Sequence, residues 1–337
     1  MPNVPPSQTS GPNDPFDFIK IKSVRDLSSK PPPEIWSGVI CLGDRVQISG
    51  ASKSYKSFFT KQLCYCINYG IDFIGRKIEN TIPMVDVDME LREYFLRQRV
   101  TSIARFLNGG GIDKYDTFCL RGKTKKFTPE AILKFGEVID SKGKKGFSID
   151  PIYTLQRDGN ENLTSGVTVL TDPFDEIVES YDLLFLWTNH HSKGEQVQKA
   201  AINRAAGSGG WGRFCDISID LLRHKEDQCF IVEITQRNFA MVPKFVIEFN
   251  LTGLCFVRRD DLSPNDYAEE KKEPSRVETS KEIVLVLIKA FQAQGTGISQ
   301  KELEDISDIP VTTLNKTVRI LIADEKIIRS NGVYYIK

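Results

Sequence analysis

The chain has 337 residues, 40% of them hydrophobic, so it is long enough for two domains or for one large domain with an appendage. Its formal net charge is zero, which excludes a chain-wide basic field, so any binding of nucleic acid must use a local patch. The 7 scattered cysteines and a start unlike a signal peptide predict free thiols in the cytoplasm, and no run of about 18 apolar residues predicts a membrane span.

Residues 1–35 hold eight of the sixteen prolines and are expected to form an extended arm. This arm is either an unstructured tail with one short docking segment or a segment that binds a partner. From residue 36 to residue 259, predicted strands alternate with predicted helices, which indicates an α/β domain with a mostly parallel central sheet. The last strands have little helix between them and are expected to extend the sheet in an antiparallel manner.

The first strand of this domain, Val46–Ser49, leads into a loop with the spacing of a P-loop, G-x-x-x-x-G-K-[ST]. Such a loop directs backbone N–H groups and a helix N-terminus at phosphate oxygens, so we expect it to bind ATP with Mg²⁺. The predicted binding residues are Gly50, Ala51, Ser52, Lys53, Ser54, Tyr55, Lys56 and Ser57.

Two residues of the loop have specific expected roles. Lys56 would reach the β- and γ-phosphates, and Ser57 would be a ligand of Mg²⁺. Tyr55 stands where the second glycine of the motif belongs, and we expect a tyrosine to fit there only with ordinary helical backbone angles. The alternative interpretation is a strand–turn–helix with a surface lysine.

Acidic residues follow two later strands. The strand Gly146–Asp150 ends in an aspartate that could hold Mg²⁺, and Glu90 follows another strand where it could activate water. Two adjacent histidines, His190 and His191, follow the apolar strand Leu183–Thr188, at the kind of strand end where open α/β sheets bind ligands. Acids at strand ends are also common turn residues, and histidines near turns are often only surface residues.

Taken in chain order, these segments resemble the RecA superfamily of P-loop ATPases, and in particular the plasmid RepA-type hexameric helicases and related ATPases of mobile elements. The resemblance covers about residues 36–250 and rests on Gly50…Lys56-Ser57, Asp88-Met-Glu90, Phe147-Ser-Ile-Asp150-Pro151, Asn189-His-His-Ser-Lys-Gly194, Arg204-Ala-Ala-Gly-Ser208 and Gln236-Arg-Asn238. It implies a RecA-like core, a homo-oligomeric ring and ATP sites at the interfaces between subunits.

The resemblance also implies catalytic roles. Glu90 would be the general base for the attacking water, and Asp150 would support Mg²⁺. His190 or Asn189 would sense the γ-phosphate. Arg237 would be an arginine finger supplied to a neighbouring subunit, where it stabilises charge on the transferred phosphoryl group. The alternative for Arg237 is a surface salt bridge at the sheet edge.

A basic, glycine-rich segment between the histidine pair and the next strand is the predicted DNA-binding region of the core. Its candidate residues, Lys199, Arg204, Gly207 and Ser208, would line a central channel and follow the backbone of single-stranded DNA. The bland alternative is an active-site lid. Trp211 either stacks on a base or packs in the core.

Residues 260–275 are charged and predict a linker, and residues 276–337 predict a winged-helix domain of three helices and a hairpin. The third helix presents polar residues, with Lys316 and Arg319 as candidates for contact with duplex DNA. This region has 9 basic and 8 acidic residues, so a protein partner for the winged helix is an equal alternative.

The leading functional hypothesis is an ATP-hydrolysing ring helicase of a mobile genetic element that moves on single-stranded DNA. The second is a DNA-binding regulator or loader in which ATP only controls assembly. A third, a scaffold without catalysis, is disfavoured because the chain keeps Glu90, Asp150 and Arg237.

Overall fold

The computed structural model describes residues 23–123, 128–155, 164–191, 210–268, 276–293, 295–307 and 309–337. The chain divides into two compact units, Met1–Ala268 and Glu269–Lys337. No helix in the described ranges has both the length and the apolar character needed to cross a membrane.

The first unit is built on a nine-stranded sheet, and the α/β fold class with a mostly parallel sheet is confirmed. From one edge to the other, the strand order is β11-β10-β9-β8-β3-β7-β6-β4-β5. The strands of the unit are β1 (Glu34–Trp36), β2 (Ile40–Cys41), β3 (Arg45–Gly50), β4 (Met84–Asp88), β5 (Asp116–Cys119), β6 (Gly146–Asp150), β7 (Leu184–His190), β8 (Ile217–Arg223), β9 (Cys229–Gln236), β10 (Phe245–Asn250) and β11 (Cys255–Arg258).

The strands from β5 to β8 pair in parallel, and the strands from β8 to β11 pair antiparallel. The expected antiparallel extension of the sheet is therefore present. It contains one more strand than the sequence predicted, β11. The short strands β1 and β2, also not predicted, pair with each other in a separate two-stranded sheet.

Helices cover both faces of the large sheet. They are α1 (Lys56–Tyr69), α2 (Glu93–Phe106), α3 (Pro129–Ser141), α4 (Thr164–Tyr181) and α5 (Gly210–Phe214). Alternation along β7 separates two cores: Leu184 and Leu186 pack in the core that contains α1, whereas Phe185 and Trp187 pack in the core that contains α3 and α4. The sequence predicts helices over residues 58–69, 91–107 and 129–139, which correspond to α1, α2 and α3. It does not predict α4, which has a proline, Pro173, in its interior.

Local sequence explains where two of these helices begin and end. Thr128 caps α3, because its hydroxyl accepts a hydrogen bond from the backbone N–H of Ala131, and Pro129 occupies the first helical position. Helix α1 ends at Gly70, which adopts a left-handed conformation with φ of 68°.

The predicted linker begins inside the first unit. His224 forms a β-bridge with Tyr267, and Ala268 donates a backbone hydrogen bond to the carbonyl of Arg223, so residues up to 268 are attached to the first unit at the end of β8. Residues 269–275 lie outside the described part of the chain.

The second unit has its own apolar core. Its elements are α6 (Arg276–Ala293), β12 (Ile298–Ser299), α7 (Gln300–Ile306), α8 (Val311–Ala323), β13 (Ile327–Ser330) and β14 (Val333–Ile336). Ser299 and Glu302 form a capping box at the start of α7, and Asn331 and Gly332, with φ of 48° and 83°, form the two-residue hairpin turn. The three strands pair in the order β12-β14-β13. That this unit acts as a winged helix stays a prediction.

Candidate nucleotide site

The predicted phosphate loop lies between β3 and α1, at the carboxyl end of a central strand. Gly50 is the last residue of β3, and Lys56 is the first of α1. A Cβ atom on Gly50 would lie 2.5 Å from the hydroxyl of Ser54, so the tight turn requires glycine. The strand order brings the carboxyl ends of β3, β7, β6 and β4 side by side, and each of these strands contributes candidate residues.

Lys56 curls over its own loop. Its ammonium donates hydrogen bonds to the carbonyls of Gly50, at 2.9 Å, and Ala51, at 2.8 Å, and lies 3.4 Å from Nδ1 of His190. Burial lowers the pKa of Lys56 to about 8, against the opposing attraction of Asp150 and Glu90. A bound triphosphate would give the Lys56 ammonium an anionic partner in place of these two neutral carbonyls.

Tyr55 does not have the helical angles that we expected. Its φ of 58° and ψ of 24° place it in the left-handed region, so the position keeps the conformation for which the motif normally uses glycine. The ring packs against the antiparallel part of the sheet: it stacks on Phe249 at 3.9 Å between centroids and meets Phe230 edge-on at 6.0 Å. Aromatic packing therefore offsets the backbone cost, and the tyrosine is compatible with a working loop.

The start of α1 is suited to an anion. No side chain caps the helix at Tyr55, so the N–H groups of its first turn lack a side-chain acceptor among the described residues. A 14-residue helix also places partial positive charge at this end. These features fit a bound phosphate group.

A set of oxygen ligands lies beside the loop. The Ser57 hydroxyl donates a hydrogen bond to Oδ1 of Asp150 at 3.1 Å, and the Thr188 hydroxyl donates to the same oxygen at 2.6 Å. Burial disfavours ionised Asp150, but the charge of Lys61 and the hydrogen bonds from Thr188 and Ser57 outweigh it, so the pKa of Asp150 is lowered. A hydroxyl next to an ionised carboxylate fits Mg²⁺, which prefers oxygen ligands.

The sequence interpretation missed the group that organises these carboxylates, Lys61. Its ammonium is fully buried and contacts Oδ2 of Asp88 at 2.9 Å, and Oδ2 of both Asp86 and Asp150 at 3.2 Å. Burial alone would lower the pKa of Lys61, but the three carboxylates raise it well above its usual value. A lysine one turn after Ser57, on the same face of the helix, was the available signal.

Two other predicted catalytic residues, Glu90 and His190, lie at the carboxyl ends of the same strands, nearer to solvent. Glu90 is exposed, and its carboxylate accepts a hydrogen bond from the hydroxyl of Tyr153 at 2.6 Å. Its backbone N–H is held by Oδ1 of Asp88 at 3.0 Å. The ring of His190 lies 5.3 Å from the ring of Tyr153. The contact of Lys56 with His190 connects these residues to the loop. The carboxyl ends of β3, β4, β6 and β7 therefore bring the candidate residues together.

Asn189 and His191 are held by contacts within the protein. The Asn189 side chain is 2% exposed, and its oxygen accepts a hydrogen bond from the backbone N–H of His190 at 2.9 Å. The backbone N–H of His191 donates to the carbonyl of Gly50 at 3.1 Å, and its imidazole lies 3.3 Å from the buried carboxylate of Asp220. This geometry leaves His190 as the histidine that meets Lys56.

Arg237 lies near the amino ends of the parallel strands, opposite the carboxyl ends that carry the phosphate loop. It follows β9, which runs antiparallel to β8 and pairs Gln236 with Ile217 at the start of β8. Its guanidinium donates to the carbonyl of Arg213 at 3.0 Å and lies 3.7 Å from Asp216, and its side chain is 56% exposed. Within one chain, Arg237 therefore does not join Lys56, and a finger role requires a second copy.

The predicted nucleic-acid residues divide into two groups. Lys199, Arg204, Gly207 and Ser208 lie outside the described residues. Lys316 and Arg319 are exposed on α8 of the second unit. Trp211 is 1% exposed and packs 5.7 Å from the ring of Trp187, so of its two expected roles the packed one is observed.

Comparison with known proteins shows the family. A protein family described as an AAA domain matches residues 12–196, more than half of the chain and a span that includes the phosphate loop, Glu90, Asp150 and His190. The chain belongs to this AAA domain family. The prediction of a P-loop ATPase is confirmed at this level, whereas the RepA-type helicase resemblance stays a prediction. We find no match among curated proteins.

Two solved structures are similar to the chain. One is a KaiC-like protein from the hyperthermophilic archaeon Pyrococcus horikoshii, with 17% identity and a TM-score of 0.47, covering 68% of this chain and 100% of that chain. The other is the RadB recombinase, with 12% identity and a TM-score of 0.47, covering 65% of this chain and 91% of that chain.

Proposed function

We propose that this member of the AAA domain family is an ATP-hydrolysing motor that acts on DNA, and that it works as a homo-oligomeric ring on single-stranded DNA. The supporting observation is that Lys56, Ser57, Asp150 and Glu90 come together at the carboxyl ends of the parallel strands, whereas Arg237 lies near their amino ends. An arginine at the amino ends can complete a site only when subunits meet head to tail. The helicase-like role in a mobile genetic element rests on the sequence resemblance.

In the proposed reaction, the chain's own residues bind, orient and exchange protons. Lys56 leaves the carbonyls of Gly50 and Ala51 for the β- and γ-phosphate oxygens, and His190 follows the presence of the γ-phosphate through its contact with Lys56. Ser57 and Asp150 would hold Mg²⁺, which would neutralise phosphate charge. Glu90 orients a water molecule and accepts its proton, since its carboxylate is exposed at the mouth of the site.

The test is ATP hydrolysis by the purified chain, with and without single-stranded DNA, and with a Lys56→Ala variant. Removing the ammonium should reduce turnover by at least about 100-fold, because its charge acts on the transferred phosphoryl group. Lys134→Ala is the matched control, since Lys134 is an exposed lysine paired only with Glu137 on helix α3 among the described residues. Full DNA-stimulated turnover by Lys56→Ala would contradict the assigned site.

A second candidate function is a nucleotide-dependent regulator or loader that binds DNA without unwinding it. The favouring observation is that a single chain places Arg237 away from Lys56, so an isolated subunit could bind ATP without Arg237 at the site. Strand displacement separates the two functions. A motor unwinds a forked duplex with ATP and not with a non-hydrolysable analogue, whereas a regulator unwinds with neither.

A further inference from the structure

A buried ion cluster lies beside the phosphate loop, and the proposed reaction gives no role to the lysine at its centre. Its centre is Lys61, whose side chain is 0% exposed, and its anions are Asp86, Asp88 and Asp150, each with a side chain at most 5% exposed. An ammonium has three N–H donors, and the three carboxylates provide one acceptor oxygen each. All three carboxylates lie within 3.2 Å of the ammonium, and the contact with Asp150 has hydrogen-bond geometry.

Lys61 connects the two sides of the candidate site through different carboxylates. On one side it holds Oδ2 of Asp150, which leaves Oδ1 to receive Ser57 and Thr188. On the other side it holds Oδ2 of Asp88, whose Oδ1 accepts the backbone N–H of Glu90 and that of Leu91, at 2.7 Å. One ammonium thus fixes the ligand side and the water-activating side at once.

Lys61 lies on the same helix as Ser57, so its contacts with the carboxylates also affect where Ser57 is held. Residues four apart lie on the same face of a helix, so Lys61 and Ser57 both face the carboxyl ends of β4 and β6. A buried ion pair is a poor source of stability, because desolvation costs about as much as the pairing returns. Stability alone therefore does not explain a charged lysine at this position. Holding the surrounding carboxylates in fixed positions explains it better.

We propose that Lys61 is a positioning residue of the nucleotide site, which sets the distance between the Ser57–Asp150 pair and Glu90 and so controls the hydrolysis step. The inference rests on the proposed ATPase function. It concerns the rate of hydrolysis and the response to Mg²⁺, whereas binding of the nucleotide itself depends on the loop and Lys56.

The main test is the double variant Lys61→Met with Asp86→Asn in the full chain. Wild type carries one buried cation and three buried carboxylates, so removing the lysine and neutralising Asp86 keeps the same formal charge. The asparagine oxygen can still accept a hydrogen bond from Ser148 or Tyr115, which both donate to Asp86. We expect kcat to fall at least about tenfold and the Mg²⁺ concentration for half-maximal turnover to rise at least about tenfold. Affinity for a fluorescent ATP analogue without Mg²⁺ should change less than about threefold.

Asp88→Asn provides an independent variant that leaves Lys61 and Asp150 in place. It weakens the contact of Lys61 with the carboxylate that holds the backbone of Glu90 and Leu91, so we expect a lower kcat with unchanged affinity for the nucleotide analogue. Lys144→Met is the control for loss of an ion-paired lysine, because Lys144 pairs with Asp116 on β5, away from the loop. It should leave kcat and the Mg²⁺ response unchanged.

The outcomes separate this inference from the proposed function. If wild type does not hydrolyse ATP, the proposed function fails and the inference fails with it. If wild type is active and folded Lys61→Met/Asp86→Asn keeps its kcat and its Mg²⁺ response, only the positioning role is overturned. If the double variant does not fold, Asp88→Asn decides, and wild-type kcat in that variant overturns the inference. A purely structural role would lower the melting temperature without shifting the Mg²⁺ response.

Discussion

Tyr55 shows how a residue that breaks a motif can still meet its backbone requirement. A non-glycine residue in the left-handed region costs about 1–2 kcal/mol, and stacked aromatic pairs return about 0.5–1.5 kcal/mol beyond their buried area. The ring gains from Phe249, Phe58 and Phe230 together, at centroid distances of 3.9, 6.2 and 6.0 Å. The phosphate loop is therefore attached to the antiparallel part of the sheet in a way that glycine would not provide.

This balance predicts an unusual order of stabilities at position 55. Tyr55→Ala loses the aromatic packing and keeps the strained φ, whereas Tyr55→Gly loses the packing and relieves the strain. We expect the alanine variant to be less stable than the glycine variant by about 1 kcal/mol in urea unfolding.

The control is the same pair of substitutions at Lys134, which is exposed in the middle of α3 and has helical neighbours on both sides. There alanine should be the more stable, by about 0.5–1 kcal/mol. The same order at position 55 would mean that the positive φ carries no cost.

At the scale of residues, the structure brings together the candidates whose sequence signal was local, and their roles stay predictions. The spacing from Gly50 to Ser57 identified the loop, and the strand ending at Asp150 identified the acid beside it, because both depend on a few consecutive residues. The φ of Tyr55 and the burial of Lys61 were missed because both depend on partners far along the chain: Phe249 for the tyrosine, and Asp86, Asp88 and Asp150 for the lysine.

At the scale of elements, α4 is the clearest omission from the sequence interpretation. Helix propensity is weak where β-branched residues and an interior proline occur together, and α4 contains Pro173 and several threonines and valines. The helix forms because it packs on α3 and the sheet, with Phe174, Ile177 and Val178 buried in the shared core. Tertiary packing therefore decides this element, and local sequence does not.

The contact between α3 and α4 depends on the absence of a side chain at Gly136. A Cβ atom there would lie 2.5 Å from Cγ2 of Ile177 and 2.8 Å from its Cβ. Gly136→Ala should therefore destabilise the protein by about 1–2 kcal/mol, although alanine is the better helix former. Urea unfolding measures the change.

A double-mutant cycle supplies the control. Ile177→Leu moves the branch away from Cβ and removes the Cγ2 methyl, so Gly136→Ala should cost less in that background, by at least about 0.5 kcal/mol. Additive effects of the two substitutions would show that the helices do not meet at this point.

At the scale of the whole molecule, the sheet separates the predicted catalytic groups. The loop, Asp150 and Glu90 lie at the carboxyl ends of the parallel strands, and Arg237 lies near their amino ends because β9 runs in the reverse direction. The separation follows from the reversal of chain direction between β8 and β9, which belongs to the antiparallel extension that the sequence predicted. Each site in the proposed ring would therefore combine two chains.

Mixed assemblies test this arrangement. Arg237→Ala and Lys56→Ala chains should each be inactive alone, and co-expression should restore roughly a quarter of wild-type turnover. A random half-and-half ring pairs an intact loop with an intact arginine at that fraction of its interfaces. Turnover of the isolated assemblies, with their size from light scattering, measures the effect.

The control replaces the Lys56→Ala partner by a chain that carries both substitutions, which supplies no arginine and should restore nothing. Recovery in the control, or none in the first mixture, would remove Arg237 from its proposed role in a neighbouring site.

The burial of the thiols has a practical consequence for such experiments. Six of the seven cysteines are buried and Cys119 is half-buried, and burial raises the pKa of every one of them. Thiolates are the species that react with maleimides, so the native chain offers one accessible position for modification at most. Replacing Cys119 alone would give a background in which a dye placed on a chosen subunit can follow assembly and movement on DNA.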